Sequence, residues 1–483
     1  MTPPAPPLET PPESAPPSRS NDPKGQTKDW RMPPGLKRSL HFYALEPWVK
    51  LGHPILLFEH LRKTYGNIAC YRFLGTPIVF INEPNYLREI LINQSASFVK
   101  ERTVRRMKIL LGEGLITSDD PIHKRQRRIV APAFHRQRIS AYGDQIVACA
   151  DAQQKSWQPD QTIDIARACM QLSLEIVART LFNTKVTEEV RSINDEVNII
   201  MGLYNFIVAF PRLEDFIYLP IPKLINFRKA RSRLDAVVNR LIREHRQAGV
   251  DRGDLLSMLL ASRDDEADAA GHHTGMSDEQ IRDEVLTIFL AGYETVANGL
   301  TWTWYLLSQN PEVEAKLHAE LDTILGTGNQ KRLPTLADYS NLRYTEQVFA
   351  ESMRLYPPAW AMGRMSTKPV ELGPYRIPPG ARFFFSQYIM GRDPQYFPDP
   401  LRFDPDRFTP EAKATRPKFT YFPFGAGNRQ CIGESFAWME GVFSIATLAQ
   451  RWRMTYLGDT PPVPQAKITL RPRDPLMMQL LPR

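Results

Sequence analysis

The chain has 483 residues, of which 42% are hydrophobic and 24% charged, as is usual for a globular protein with a substantial core. Its 61 basic and 53 acidic residues leave a formal net charge of +8, and the basic residues are dispersed along the chain. Dispersed charge argues against nucleic-acid binding, and it fits either a cationic face for an acidic protein partner or an ordinary solvated surface.

The cellular compartment is predicted from features that the sequence lacks. It contains no run of about 18 consecutive apolar residues, the length that spans a bilayer. Its first residues show no basic start followed by an apolar stretch, so no signal peptide is expected. Its four cysteines include no Cys-x-x-Cys pair and indicate neither a zinc site nor a disulfide framework. We therefore predict a cytoplasmic protein with at most peripheral membrane contact.

Residues 1–36 are predicted to form a disordered tail ahead of a single domain that spans residues 37–483. Eleven prolines fall between Pro3 and Pro34, among serine, threonine, glutamate and lysine residues. Such a segment cannot bury enough apolar surface to offset the entropy cost of ordering it. A rigid linker or a docking ligand is the alternative that this composition leaves open.

Beyond the tail, strands are predicted in a few short segments and helices elsewhere. Residues 68–81 are rich in β-branched and aromatic residues around a Gly-Thr-Pro break, which predicts a β-hairpin. Helical patterns dominate to about residue 356, short strands return at 373–385, and residues 391–430 form a meander rich in proline, glycine and aspartate. A helix after Cys431 and short strands end the chain. The predicted class is mainly α with minor β.

Two pairs of charged residues lie on predicted helices at helical spacing. His123 and Arg127 are four residues apart and share one face of an early helix. Glu351 and Arg354 are three residues apart and can form an ion pair. Most such pairs lie on the surface and contribute little, so the spacing alone does not assign them a role.

The longest predicted helix begins at Ser277, which forms a capping box with Gln280. A helix of about 30 residues is roughly 45 Å long and can cross a large domain. At its centre, Gly292 costs about 1 kcal/mol relative to alanine, and Glu294 places a charge within an apolar stretch. Two such departures indicate a functional site, although a packing glycine beside a solvent-facing glutamate is the alternative.

The strongest local pattern is the segment 424–433, Phe-Gly-Ala-Gly-Asn-Arg-Gln-Cys-Ile-Gly. Its glycines allow tight turns and close approach of the backbone. Cys431 lies just before an amphipathic helix that starts at Glu434, where free N–H groups and the helix dipole favour a thiolate. A glycine-rich loop that holds a buried free cysteine is the alternative.

This segment resembles the haem-binding loop of the cytochrome P450 superfamily, the haem-thiolate monooxygenases. The resemblance runs from about residue 40 to 480, and it implies the cytochrome P450 fold with a long central helix over the haem and small separate sheets. The implied cofactor is haem b, with Cys431 as the axial ligand of the iron and O2 as co-substrate. Further implied contacts with the cofactor come from the loop, the early helix and a position ten residues after Arg354: Arg429, Phe424, Gly425, Gly433, His123, Arg127 and Arg364.

The resemblance also assigns roles to the central helix and to the charged pair. Gly292 would make room over the porphyrin, and Glu294 and Thr295 would deliver protons during catalysis. Gly391 departs from the family, since many members have histidine there, and Asp406 stands where glutamate is usual. The implied structural group is Glu351, Arg354 and Arg407.

The implied substrate is mainly apolar and at least medium-sized, plausibly a fatty acid or similar lipid. Three arginines before the His123 helix could pair with a carboxylate or be merely solvated: Arg102, Arg105 and Arg106. The side chains expected to line the substrate pocket are Phe98, Leu110, Phe206, Phe210, Ala291, Trp360, Ala361 and Met477.

Only a short segment follows Cys431, so the expected electron donor is a separate acidic ferredoxin or flavodoxin with its reductase.

Two rival functions remain open. A peroxide-driven peroxygenase tends to lack the acid–alcohol pair, so Glu294 and Thr295 argue against it. A non-catalytic haem-thiolate gas sensor would need neither a substrate pocket nor a proton relay.

Overall fold

The computed structural model describes residues 29–44, 46–49, 53–183, 218–250, 252–262 and 275–483. Helices dominate this part of the chain, which confirms the predicted class. None of the helices described is long and apolar enough to cross a membrane. In chain order they are α1 (Pro54–Tyr65), α2 (Pro84–Arg88), α3 (Arg102–Arg106), α4 (Lys108–Leu111), α5 (Ile122–Val130), α6 (Arg136–Gln154), α7 (Ile165–Phe182), α8 (Pro222–Ala248), α9 (Leu255–Ala261), α10 (Asp278–Gln309), α11 (Pro311–Leu325), α12 (Arg343–Leu355), α13 (Gln387–Gly391), α14 (Pro410–Thr415) and α15 (Glu434–Ala449).

The strands form small separate sheets. The largest has six strands in the order β1-β2-β3-β9-β6-β4, another has the order β10-β13-β5, and β11-β12 and β7-β8 are two-stranded. The hairpin predicted at residues 68–81 is β2 and β3, which pair in the antiparallel sense around a turn at Gly75. The strands are β1 (Gly35–Ser39), β2 (Ile68–Phe73), β3 (Thr76–Ile81), β4 (Phe98–Lys100), β5 (Thr162–Asp164), β6 (Met362–Ser366), β7 (Val370–Leu372), β8 (Tyr375–Ile377), β9 (Arg382–Phe385), β10 (Trp452–Tyr456), β11 (Pro464–Ala466), β12 (Leu470–Pro472) and β13 (Met477–Pro482).

Some residues of the segment predicted as a tail belong to a sheet. The boundary was placed after residue 36, but β1 begins at Gly35 and Arg31 pairs with Arg376. Pro34 lacks an N–H group, yet its carbonyl oxygen accepts a hydrogen bond of 2.7 Å from the Cys70 N–H on the neighbouring strand. These residues are held by sheet pairing, which composition alone does not reveal.

Helix α10 is the axis of the main core. Its capping box is present, since the Ser277 hydroxyl accepts from the Gln280 N–H and the Gln280 side chain accepts from the Ser277 N–H. The helix has 32 residues, which corresponds to about 48 Å. Most of its residues are buried on all sides, as expected for a helix that crosses the interior, and it packs against α7, α12 and α15.

Glu351 and Arg354 on α12 hold the meander by a buried ion pair. Their closest side-chain atoms lie 2.6 Å apart, and neither side chain is exposed. Arg354 also donates to main-chain carbonyls of the meander. The Arg407 Nε atom lies 3.4 Å from the Glu351 Oε1 atom. At Gly391 an added Cβ would lie 2.4 Å from the Arg354 carbonyl oxygen, so no larger residue fits where many family members have histidine.

Replacing Glu351 with glutamine should strongly destabilise the protein. The change leaves the buried Arg354 guanidinium without its charge partner, which typically costs about 3–5 kcal/mol. The measurement is the free energy of unfolding from urea titration. Glu346→Gln on the same helix is the control, because its partner Lys413 lies 3.3 Å away and both side chains are substantially exposed. The control should change stability by about 1 kcal/mol or less. Equal losses in both variants would contradict the assignment.

Candidate functional site

A cavity with an empty volume of about 1330 Å3 lies between α10 and the loop that precedes α15. Cys431 and Phe424 line it on the loop side, and Ala291, Gly292 and Thr295 line it on the helix side. The sequence motifs at residues 291–295 and 424–433 are far apart along the chain. The fold therefore brings the predicted cysteine and the predicted alcohol to the same cavity.

The loop around Cys431 is shaped by glycines and by backbone hydrogen bonds. Gly425 and Gly427 both have a φ of +73°, a conformation that side chains disfavour. At Gly427 an added Cβ would also lie 2.2 Å from the Leu91 carbonyl oxygen. The Cys431 N–H donates to the Phe424 carbonyl oxygen at 2.9 Å, which closes the loop over the cavity.

The protein surroundings of Cys431 disfavour the thiolate form of its side chain. Burial raises the pKa of this thiol to about 11, and a hydrogen bond from Gly433 opposes that shift only in part. The position before α15 was expected to favour a thiolate, so here desolvation outweighs the helix terminus. The side chain nevertheless has accessible surface and lines the cavity. A metal cation bound from the cavity side would remove the proton.

Basic side chains gather on one side of the cavity. Lys100 on β4 lies directly opposite Arg364 on β6, in the antiparallel pair. Arg429 donates to the Ser118 carbonyl oxygen at 2.7 Å, and Arg127 donates to the Gln430 carbonyl oxygen at 2.7 Å. Together with His123, these four residues form what we call the cationic cluster.

The cationic cluster has an excess of positive charge. The neighbouring carboxylates of Asp119 and Asp120 offset only part of it. Burial and the neighbouring Arg364 and Arg429 lower the pKa of Lys100 well below its usual value. Burial, followed by Arg429 and Lys100, lowers the pKa of His123 to about 3. Burial and Arg429 lower the pKa of Arg364 to about 10. Burial of several cationic groups together, with repulsion between them as the second cause, indicates a site for an anionic ligand.

These residues fit haem b. The cationic cluster would bind the two carboxylates of the porphyrin, and Cys431 would bind the iron. Phe424 lines the same cavity and packs against Trp438, with ring centroids 5.7 Å apart. A flat and otherwise apolar group that carries two carboxylates and a metal ion able to bind thiolate thus matches both the charge and the lining of the cavity.

Helix α10 presents two adjacent functional residues in different directions. Thr295 lines the cavity, and its hydroxyl donates to the Ala291 carbonyl oxygen at 2.7 Å. The Glu294 carboxylate instead accepts a hydrogen bond of 2.6 Å from the Thr469 hydroxyl. Gly292 lies on the cavity too, and an added Cβ there would be 3.2 Å from Val177, so the glycine also allows α7 to pack closely.

Most of the predicted cofactor contacts lie together, whereas the predicted substrate residues are scattered. Arg364 and Phe98 line a smaller neighbouring cavity, which also reaches Lys100 and Arg429. Of the predicted substrate residues, Ala291 lines the main cavity. The others described lie elsewhere: Leu110 in the main core, Trp360 and Ala361 beside the sheet, and Met477 partly exposed on β13. Phe206 and Phe210 lie outside the described residues.

Sequence reasoning missed Lys100 and Thr469. Lys100 ends the short strand β4, and only its register against β6 places it opposite Arg364. Thr469 is 175 positions from Glu294 and carries no motif of its own. Neither residue has a local pattern that could have identified it.

Comparisons with known proteins support the cofactor assignment. The family model described as Cytochrome P450 matches residues 33–480. Cyclooctatin synthase of Streptomyces melanosporofaciens is 38% identical over 431 residues, which cover 87% of this chain and 90% of that protein. Cyclooctat-9-en-7-ol 5-monooxygenase of the same organism is 34% identical over 426 residues, covering 86% and 85% of the two chains.

The fold is shared with a solved structure over almost its whole length. The crystal structure of the cytochrome P450DA heme domain matches with a TM-score of 0.82 and 25% sequence identity. The match covers 94% of this chain and 98% of that one. The arrangement of a long central helix with small separate sheets is therefore common to both proteins.

Replacing Cys431 with serine should abolish thiolate ligation. A serine hydroxyl does not supply the soft anionic ligand that thiolate provides, so the red-shifted carbon monoxide band of the reduced, haem-loaded protein should disappear. Cys149→Ala is the control, because Cys149 is buried in α6 and should leave the band unchanged. A serine variant that keeps the band would show that another residue ligates the iron.

Proposed function

Because the chain belongs to the cytochrome P450 family and is a monooxygenase, we propose that it oxygenates a cyclic terpenoid hydrocarbon or terpenoid alcohol. Haem b is the cofactor and O2 the co-substrate. When bound, the haem supplies the activation of O2 that allows one oxygen atom to enter the substrate. Cyclooctat-9-en-7-ol 5-monooxygenase is a terpene-oxygenating relative whose name describes an alkenol, and this supports the substrate class.

The apolar wall of the cavity is the observation that carries this proposal. Away from the cationic cluster, α10 contributes only Thr287 and Thr295 as polar lining residues, and the Thr295 hydroxyl is bonded to its own helix. A hydrocarbon surface gains about 25 cal/mol for each Å2 that it buries against such a wall. The apolar side chains in this part of the lining are Leu115, Ile116, Leu181, Ile288, Ala291 and Val296.

A fatty acid is the second candidate substrate, and it has less support. Arg102, Arg105 and Arg106 are not among the residues that line the cavity in the described part of the chain. Arg105 lies 3.5 Å from Asp119, which supplies it with a partner. The basic residues that do line the cavity belong to the cationic cluster, where they would bind the cofactor.

We also propose that Glu294 and Thr295 deliver the protons that the reaction consumes. The Thr295 side chain lies at the cavity, where a hydroxyl can orient water and pass a proton on. Glu294 is the neighbouring carboxyl group and is only partly buried, so it can exchange protons with solvent. The pair would connect an apolar cavity to water without opening it.

The electron donor in this proposal is a separate acidic protein, a ferredoxin or flavodoxin with its reductase. It would bind the face behind Cys431, where α5 packs against the cysteine loop through Arg127. Lys124 on the same helix is exposed, and further basic residues follow it at positions 125 and 128. Together with the net charge of +8, these residues favour an acidic partner.

Cyclic terpenoids should shift the haem-loaded protein toward the high-spin state, because an apolar ligand displaces water from the cavity. Spectral titration with cyclic terpenes, their alcohols, long-chain fatty acids and fatty acid methyl esters measures this. Ala291→Leu should weaken terpenoid binding about tenfold or more by occupying cavity space. Ala414→Leu, on the exposed end of α14, is the control.

Two outcomes decide between the candidates. Fatty acids that bind tightly while their esters and the terpenoids do not would establish a carboxylate anchor and contradict the terpenoid proposal. Terpenoids that bind with an affinity dependent on Ala291 would support it.

Reduction by an acidic ferredoxin should slow as salt concentration rises, because at 0.1 M salt the attraction between opposite charges more than about 10 Å apart is largely screened. Stopped-flow reduction at several ionic strengths measures this. Lys124→Glu should slow reduction several-fold at low salt, whereas Lys63→Glu on α1 makes the same change in net charge and should have little effect. Rates that are indifferent to salt and to both variants would contradict a cationic docking face.

A further inference from the structure

The C-terminal loop 467–470 is fixed to α10 by three side chains on one face of the helix. Glu294, Asn298 and Trp302 are each four residues apart and therefore lie in one row. Asn298 Nδ2 lies 3.2 Å from the Thr469 hydroxyl, and Trp302 Nε1 donates to the Leu470 carbonyl oxygen at 3.1 Å. The same Thr469 hydroxyl donates to the Glu294 carboxylate.

The hydrogen bonds in this row have a definite direction. A hydroxyl has a single proton to donate, and an ionised carboxylate only accepts. If the Asn298 amide oxygen faced Thr469, the hydroxyl would meet two acceptors with one proton. The consistent arrangement runs from the Asn298 N–H to the Thr469 oxygen, and from the Thr469 O–H to Glu294. Asn298 and Thr469 are both nearly fully buried, so water competes little for these bonds.

The charged residues near the Glu294 carboxylate lie toward solvent and away from the cavity. Lys467 and Arg471 are close enough to interact electrostatically with Glu294 or its neighbour Tyr293, and both are only partly buried. Burial and Arg471 lower the pKa of Lys467, while Glu294 raises it. The second oxygen of the Glu294 carboxylate has no hydrogen-bond partner among the described residues.

We propose that Thr469 is a positioning residue for proton delivery, and that it holds Glu294 in the orientation in which the carboxylate takes up a proton from solvent. The proton comes from water on the side of Lys467 and Arg471 and binds the carboxylate oxygen that Thr469 leaves free. Protonation removes the charge that strengthens the Thr469 bond. Glu294 can then turn and pass the proton toward Thr295, and the resulting carboxylate returns to Thr469.

This inference rests on the proposed proton relay of Glu294 and Thr295, and its test separates the two. The variant Thr469→Val keeps the shape of the side chain and removes the hydroxyl. Losing one hydrogen bond to a charged group should raise the peroxide released per product formed by about tenfold. Thr469→Ser retains the hydroxyl and should restore the value of the unmodified protein.

The control and the structural readouts accompany these variants. Thr303→Val also removes a buried hydroxyl associated with α10, but that hydroxyl bonds only to the Gly299 carbonyl oxygen and should leave coupling unchanged. A positioning role predicts that Thr469→Val keeps the spectral affinity for substrate, although the thermal midpoint falls because the buried Asn298 N–H loses its acceptor. It also predicts a changed solvent deuterium isotope effect on product formation, because proton delivery becomes slower.

Each outcome has a distinct meaning. Normal coupling in Thr469→Val, with uncoupling in Thr295→Ala, overturns the role of Thr469 and leaves the relay in place. Normal coupling in Thr295→Ala overturns the relay itself. Uncoupling in Thr469→Val that serine does not restore, together with weaker substrate binding, makes Thr469 a structural residue and overturns the inference.

Discussion

The position of the cysteine loop depends on the guanidinium of Arg354. This group has five N–H hydrogens and donates all of them inside the protein: two to Glu351 and three to the main-chain carbonyls of Gly391, Pro400 and Arg402. Because a guanidinium is planar, its acceptors must take one fixed arrangement. Helix α12 thereby sets the path of the meander, and the meander leads directly into the loop that carries Cys431. The loop that carries Cys431 is in this way positioned by contacts to a helix.

The cavity combines two environments that would oppose each other in one small space. On one side the charges of the cationic cluster are disfavoured by burial and by their mutual repulsion, and on the other side the described lining residues are mainly apolar. A ligand that is anionic at one edge and apolar elsewhere relieves both conditions at once. Cys431 follows the same logic, since desolvation raises the pKa of its thiol and a bound metal cation would stabilise the thiolate.

The features that could be predicted from sequence are those whose pattern is local. The capping box at Ser277, the Glu351–Arg354 pair and the glycines around Cys431 each depend on residues a few positions apart, so spacing on a helix or in a turn defines them. Lys100 could not be found in this way, because its place opposite Arg364 depends on strand register between segments more than 260 residues apart. Strand β1 could not be predicted for a similar reason. Its segment follows a proline-rich stretch, and its pairing with β2 cannot be recognised from composition.

Two neighbouring rows of side chains on helix α10 contact different parts of the structure. Thr287, Ala291 and Thr295 are spaced by four residues and form the row that lines the cavity. Glu294, Asn298 and Trp302 form the neighbouring row, which binds the C-terminal loop. Adjacent residues on an α-helix point about 100° apart, and here Thr295 lies at the cavity while the Glu294 carboxylate accepts a hydrogen bond from Thr469. The proton transfer that we propose from Glu294 to Thr295 therefore requires the Glu294 side chain to turn, and the hydrogen bond from Thr469 defines one end of that movement.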